Sequence, residues 1–318
     1  MKDYVLDAAV TLRRNYADLP FDADTNEETA RRVSERAVVA LERSGESYAY
    51  LTASGLPQEQ REALEAKRLI SPEGGEYVNA ADYLRMDEAA CVETAGEDHL
   101  LIAAYDENGD VKSCLATCRA LAERLADTGR MAQSEQFGYL TAKPCDAGTG
   151  MRASMLLHLP MTAAARQIPA AAKLAGSSGM NLRIINGGIC LLENRVTLGR
   201  EEEALTDALA GAAQKLTSLE RGLRWRAKEK RDLNVADKAC RAYATARYAL
   251  RMTSREALQL WSSMVLGTAL DGMPYEEKAL EGLWRIAHTP QGKLTQDSDL
   301  QPEVERARQI RALFAGGN

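Results

Sequence analysis

Residues 135–160 read EQFGYLTAKPCDAGTGMRASMLLHLP, and this stretch decides how the rest of the chain is read. It opens with an aromatic segment, Phe137-Gly138-Tyr139-Leu140, and turns through Pro144, Cys145, Asp146, Gly148 and Gly150. It closes in an alternating apolar run from Met151 to Leu159, with Arg152 at its entrance. Glycine lets backbone N–H groups approach a ligand closely, and an arginine beside them can clamp an anion. Read from periodicity alone, the stretch is a loop leading into a half-buried strand.

The same residues resemble the signature of the ATP:guanido phosphotransferases (phosphagen kinases), and among them the bacterial protein arginine kinases. That signature runs E-Q-F-G-Y-L-T-S-C-P-T-N-x-G-T-G-L-R-A-S-V-x-L-H-L-P, and most positions agree. The departures fall at reactive positions. Lys143 stands at the family's cysteine and Asp146 at its asparagine, while Cys145 lies two places beyond the usual cysteine. The resemblance implies that Arg152, Ala153, Ser154, Met155 and Leu156, together with Arg183, meet the nucleotide, with Mg·ATP as the cofactor.

Working outward, Asp7 to Asn15 resembles the family's S-S-R-V-R-L-A-R-N, whose two inner arginines bind ATP phosphates. Ala9 and Thr11 occupy those places here. Arg14 matches the last arginine and Arg13 has no counterpart; both are expected to be solvated surface charges. Arg68-Leu69-Ile70-Ser71-Pro72 resembles K-H-L-I-S-P, with Arg68 in place of a histidine near the nucleotide. An exposed helix-end arginine is expected there, since cations favour that end of a helix; a phosphate contact is the alternative. Gly96 to Leu101 resembles N-E-E-D-H-L-R. Glu97 matches the glutamate that positions and deprotonates the substrate guanidinium, Asp98 and His99 match, and Leu101 replaces a phosphate-binding arginine. Without the resemblance, Glu97-Asp98-His99 is a polar loop.

Patterning supplies the scaffold. Asn26 to Arg43 is predicted as an amphipathic helix with Val33, Ala37, Ala40 and Leu41 on one face, and Tyr48 to Thr52 as a strand. Pro57 to Lys67 reads as a short charged helix. Cys91 to Thr94 and Leu100 to Tyr105 read as antiparallel strands, followed by a helix with Val111, Leu115, Cys118, Leu121, Ala122 and Leu125 on one face. His158 is expected to be a packed core histidine, and Met161 to Ala175 to be helical. Asn186-Gly187-Gly188 between apolar runs is a hairpin signal, and it leaves no room for the longer loop that covers the substrate in the family. A long core-facing helix runs from Leu205 to Leu223, and the charged segment Arg221 to Asp232 is taken as the domain border. Thr253 with Glu256 forms a capping box, and Pro274 and Pro302 suit first helical positions. The expected fold is α+β: an antiparallel sheet flanked by helices over residues 1–222, then an all-helical domain over 223–318. In the family that second domain reads phosphoarginine with R-D-x-x-R-A. Glu305-Arg306-Ala307-Arg308-Gln309-Ile310 does not preserve it, so Arg306, Arg308 and Arg311 are expected on a solvated helix face.

With 318 residues, 45% hydrophobic and 27% charged, the chain is long enough for a sizeable core. A net charge of −6 argues against broad nucleic-acid binding, without excluding a local basic cluster. Six scattered cysteines and three histidines complete no zinc site, and the thiols are expected reduced and mostly buried. The sequence shows no signal peptide and no membrane-length apolar run, so a cytoplasmic location is expected. Phosphoryl transfer needs cations around the migrating group. The family supplies them as five arginines plus Mg²⁺; Arg152 and Arg183 remain, while Ala9, Thr11 and Leu101 mark losses. At roughly 1.5–3 kcal/mol per charge-assisted hydrogen bond, those losses come to about 5–9 kcal/mol, or about four to six decades. The expectation is an arginine-kinase homologue acting on protein arginine side chains with reduced or absent activity. The alternative is a non-catalytic regulator that pairs with an active paralogue, forms a homodimer, or binds phosphoarginine proteins or a stress-response protease partner.

Overall fold

The computed structural model describes residues 4–52, 55–73, 76–270, 272–289 and 300–315. Its first strand, β1 (Val5–Arg14), carries apolar residues on both faces and is buried for most of its length. It pairs antiparallel with β5 (Leu100–Asp106), which pairs with β4 (Ala90–Thr94); β4 pairs with β3 (Ala81–Arg85), and β3 with β2 (Tyr48–Thr52). With β8 (Met151–His158), β9 (Met180–Asn186) and β10 (Ile189–Asn194) these strands form a sheet in the order β2-β3-β4-β5-β1-β8-β10-β9. Two short strands, β6 (Gln133–Ser134) and β7 (Gly138–Tyr139), pair apart from it.

Helices cover the sheet. α1 (Glu27–Glu42) is capped by the Asn26 side chain and α3 (Val111–Ala126) by Asp110, each carboxyl or amide oxygen accepting from two backbone N–H groups that the helix leaves unpaired. α1 packs against β4, and α3 against β1 and β5. α2 (Gln58–Ala66) and the segment after it bring Leu64, Leu69 and Ile70 onto Leu84, Cys91 and Ala103 of the sheet.

Packing divides the chain into two compact units: Met1–Leu156 with Gly176–Asn181 and Leu192–Ala213, and Leu157–Ala175 with Leu182–Leu191 and Gln214–Asn318. The second unit holds α4 (Pro160–Ala164), α5 (Ile168–Gly176, apart from its last residue), α7 (Leu233–Tyr248), α8 (Ser254–Gly267), α9 (Glu277–His288) and α10 (Pro302–Leu313). The long helix α6 (Glu202–Glu229) runs unbroken through Leu223, and the division between units falls within it.

His158 is fully buried in the second unit. It packs against Trp261 with the two rings tilted by 39° and hydrogen-bonds the Ser262 hydroxyl through Nε2 at 2.9 Å, as expected of a core histidine. Burial and the nearby Arg224 guanidinium push its pKa well down, so the ring is neutral. The Gly187-Gly188 turn has φ of 53° and 94°, the left-handed pair a two-residue hairpin requires. A Cβ on Gly188 would lie 2.5 Å from the Pro160 Cα, so glycine is needed there for space as well.

The structure corrects several expectations. β8 is not half-buried: only Arg152 is exposed and Leu156 partly so, and the other six residues are buried on both faces of the sheet. Met161–Ala175 is two helices, broken where Arg166 adopts φ 57°. Pro302 opens α10, but Pro274 precedes the first residue of α9 by three. Arg306 is buried, with a guanidinium N–H donating to the Met252 carbonyl at 3.3 Å, so it is not part of a solvated face. Arg308 pairs with buried Glu305, and Arg311 bonds the Ala249 carbonyl. Cys91, Cys114, Cys118 and Cys190 are buried thiols, while Cys145 and Cys240 are exposed.

Candidate active site

Alternation along β1 places Asp7, Ala9, Thr11 and Arg13 on one face of the sheet. Arg13 lies directly across from Leu101, Leu101 from Glu93, and Glu93 from Asp82. The face that lacks arginine at Ala9, Thr11 and Leu101 therefore carries one at Arg13, two residues farther along. This residue is no solvated surface charge. Its side chain is 16% exposed and lies 3.2 Å from Asp98, 3.5 Å from Glu97 and 3.5 Å from Asp146. Burial works to lower its pKa, but Asp98, Asp146 and Glu97 outweigh burial and hold the guanidinium above its ordinary value.

The carboxylates are themselves held. Asp98 is buried and accepts from the Asn15 amide at 2.6 Å and the Ala142 N–H at 2.7 Å. Asn15 also accepts from the His99 N–H at 2.7 Å and donates to the Leu140 carbonyl at 3.1 Å. His99 Nδ1 accepts from the Tyr16 N–H at 3.0 Å, so Nε2 carries the proton and donates to the Pro20 carbonyl at 2.7 Å. Burial lowers its pKa. Asn15 thus ties β1, the Glu97-Asp98-His99 loop and the signature segment together. Asn15→Ala should lower the unfolding free energy by about 2 kcal/mol in urea melts, since it strands buried partners; no measurable loss would show that the amide is dispensable.

Asp146 ends a short 3₁₀ turn (Pro144–Asp146), is 1% exposed, and accepts from Arg152 at 2.7 and 3.1 Å. Lys143 places its ammonium 2.8 Å from Glu97, whose other oxygen faces Arg13. Arg14, also expected to be solvated, is buried; it donates to the Arg13 and Thr149 carbonyls and to Glu202 at 2.9 Å, and it stacks on Tyr139. Arg68 is not an exposed helix end: it has φ 59° and pairs with Asp7 on the same face as Arg13.

Of the sequence-derived site residues, Glu97 and Arg152 converge through Arg13 and Asp146. Ala153, Ser154 and Met155 are buried in β8, and Leu156 is half-buried. The Ala153 N–H donates to Asn194 at 2.7 Å and the Ser154 hydroxyl bonds the Ala9 carbonyl at 3.5 Å. Arg183 is exposed on β9 within the second unit. Sequence reasoning missed Asp7, Asn15, Asp82 and Glu93. Two acidic residues within the otherwise buried strands ADYLR and ACVET were the available signal for the last two. Burial and then Glu93 push Asp82 up to about 7; burial likewise raises Glu93, which accepts from the Ser71 N–H at 3.0 Å.

These residues do not fit a triphosphate. Asp7, Glu97, Asp98 and Asp146 match Arg13, Arg68, Lys143 and Arg152 charge for charge, and Glu73, which feels both Lys143 and Arg13, adds a further negative charge. Among the described residues no group of three or more His, Cys, Asp or Glu side chains could hold a metal ion.

The sheet with its helices and the signature segment define a class. A family profile described as "ATP:guanido phosphotransferase, C-terminal catalytic domain" matches residues 30–223, and the chain belongs to that family. Within it, the relatives are protein-arginine kinases. That of Desulforamulus reducens is 33% identical over 84% of this chain and 79% of its own length; that of Moorella thermoacetica is 30% identical over 99% and 95%. The duplicated taurocyamine kinase of Schistosoma mansoni superposes with a TM-score of 0.60 at 22% identity, over 68% of this chain and 33% of that one, a likeness of fold. No described helix is long and apolar enough to cross a membrane.

Proposed function

We propose that this chain is a protein-arginine-kinase homologue in which phosphoryl transfer from Mg·ATP to arginine side chains is strongly reduced or lost. One observation carries the reading: the cations of the cradle are bonded internally. Glu97, Asp98 and Asp146 hold Arg13, Asp146 holds Arg152, Asp7 holds Arg68, and Glu97 holds Lys143. A guanidinium must leave its carboxylate before it can meet a phosphate, and the carboxylate left behind then repels the incoming anion. In the residual enzyme, Glu97 acts as base and Arg152, the one exposed residue of β8, meets the nucleotide. Residues 1–222 are the catalytic-like part, supported by the family match over 30–223, and 223–318 the helical part. The location that goes with this reading is the cytoplasm.

A second reading, a non-catalytic regulator, is favoured by Lys143. Its ammonium lies on the carboxylate that the family resemblance assigns to the substrate guanidinium. Such a regulator pairs with an active paralogue or a second copy, or binds arginine- or phosphoarginine-bearing proteins. Calorimetric titration with Mg·ATP tests the primary reading. No saturable heat up to about millimolar nucleotide is expected, given a deficit of about four decades or more. Micromolar binding with Arg152-dependent phosphoarginine formation would overturn it.

A further inference from the structure

The end of α6 and the first turn of α7 form a basic corner on which two large apolar side chains stand in solvent. Ala227 and Val235 share a buried cluster with Leu266, which sets how the two helix ends are rotated. Trp225 and Leu233 each lie two residues earlier, about 200° round the helix, and so point away from that cluster. They are 63% and 80% exposed. Trp225 is one turn from the end of α6, and Leu233 opens α7. The reversal between them is tight: Arg231 has φ 48° and the Asp232 N–H donates to the Ala227 carbonyl at 3.0 Å. From Arg221 to Asp232 the chain carries six cationic side chains, of which Arg224 is buried against Glu220, and two acids, Glu229 and the α7 cap Asp232, in a protein of net charge −6. Of these, Arg226, Lys230 and Arg231 are exposed beside the two apolar residues.

We infer that this corner docks an acidic segment of a partner polypeptide, with Trp225 and Leu233 as apolar anchors and the surrounding Arg and Lys side chains clamping its carboxylates. Tryptophan and arginine dominate the energetics of protein interfaces, and the arginine fork matches a carboxylate in two parallel hydrogen bonds. A basic patch on an acidic chain steers an acidic partner to itself and away from the remaining surface. An anionic lipid surface is favoured less, because Glu229 and Asp237 interrupt the patch and only two apolar side chains are available to insert. Single-stranded nucleic acid is favoured less because Trp225 offers one stacking platform where successive bases need several. The inference does not depend on whether the chain transfers phosphate.

The test uses the full chain and a fluorescein-labelled peptide of glutamates carrying two leucines, read by anisotropy. Saturable binding that weakens with added salt is expected, and Trp225→Ala and Leu233→Ser should each weaken it at least about tenfold. Arg226→Glu with Lys230→Glu should abolish it. All four positions are exposed, so unchanged melting curves separate lost docking from lost folding. The inference is overturned if the peptide does not bind, if the apolar variants bind as tightly as the parent, or if phosphatidylserine vesicles or oligothymidylate bind in preference to the peptide.

Discussion

Thr11→Arg combined with Asp146→Asn should raise affinity for Mg·ATP by about two to four orders of magnitude. Thr11 lies on the same sheet face as Arg13 and is only partly buried, so a guanidinium there has a route to the cleft. Asp146 is the buried carboxylate shared by Arg152 and Arg13. Asparagine keeps its shape and one acceptor oxygen while removing the charge and replacing the other oxygen with an N–H donor. The first substitution adds one phosphate partner and the second releases another, at roughly 1.5–3 kcal/mol for each charge-assisted hydrogen bond. Arg13 is the weaker contributor, because Asp98 and Glu97 still hold it. Calorimetry with Mg·ATP gives the affinity, and mass spectrometry of phosphoarginine on a client protein shows whether turnover follows. A folded double variant that binds no more tightly than the parent would mean that internal pairing is not what limits the site.

The second large effect concerns stability. Asp82 and Glu93 face each other across β3 and β4, both buried, and Asp82 Oδ1 has no hydrogen-bond partner. Burial, then the charge on Glu93, raise the Asp82 pKa to about 7, with Arg61 acting in the opposite sense. In the unfolded chain the same group ionises near pH ~4. A folded-state value above the unfolded one means that the protonated acid favours folding. That contribution is complete below pH ~4 and is lost as pH rises through about 7. The difference is worth up to about 4 kcal/mol. Asp82→Asn removes the titration. Urea melts should show the variant close to the parent at acidic pH and progressively more stable than it toward pH ~8. A stability difference that does not change with pH would sink the assignment.

Much of this was legible in the chain. The helix of Asn26 to Arg43, the paired strands around Glu97 and the hairpin at Gly187-Gly188 follow from apolar periodicity and turn chemistry, which act over a few residues. The family's residues could be placed by position, so the gaps at Ala9, Thr11 and Leu101 were visible too. What could not be read was the state of the remaining charges. Arg13 and Arg14 look like any basic dipeptide, yet one closes a cluster with Glu97, Asp98 and Asp146 and the other is buried against Tyr139 and Glu202.

Local pattern by itself determined most of the elements, the family and the missing arginines, because periodicity and motif are properties of near neighbours; the strand Ala81–Arg85 and the helix break at Arg166 were not legible in it. Only the tertiary structure decided that the surviving cations are already engaged. An ion pair depends on distance in space: Arg13 and Asp146 are far apart in the chain, and only the meeting of β1 with the signature turn brings them within 3.5 Å. The acidic row Asp82–Glu93 likewise acquires its chemistry only when strand register sets the two carboxyls side by side and burial withdraws water from both.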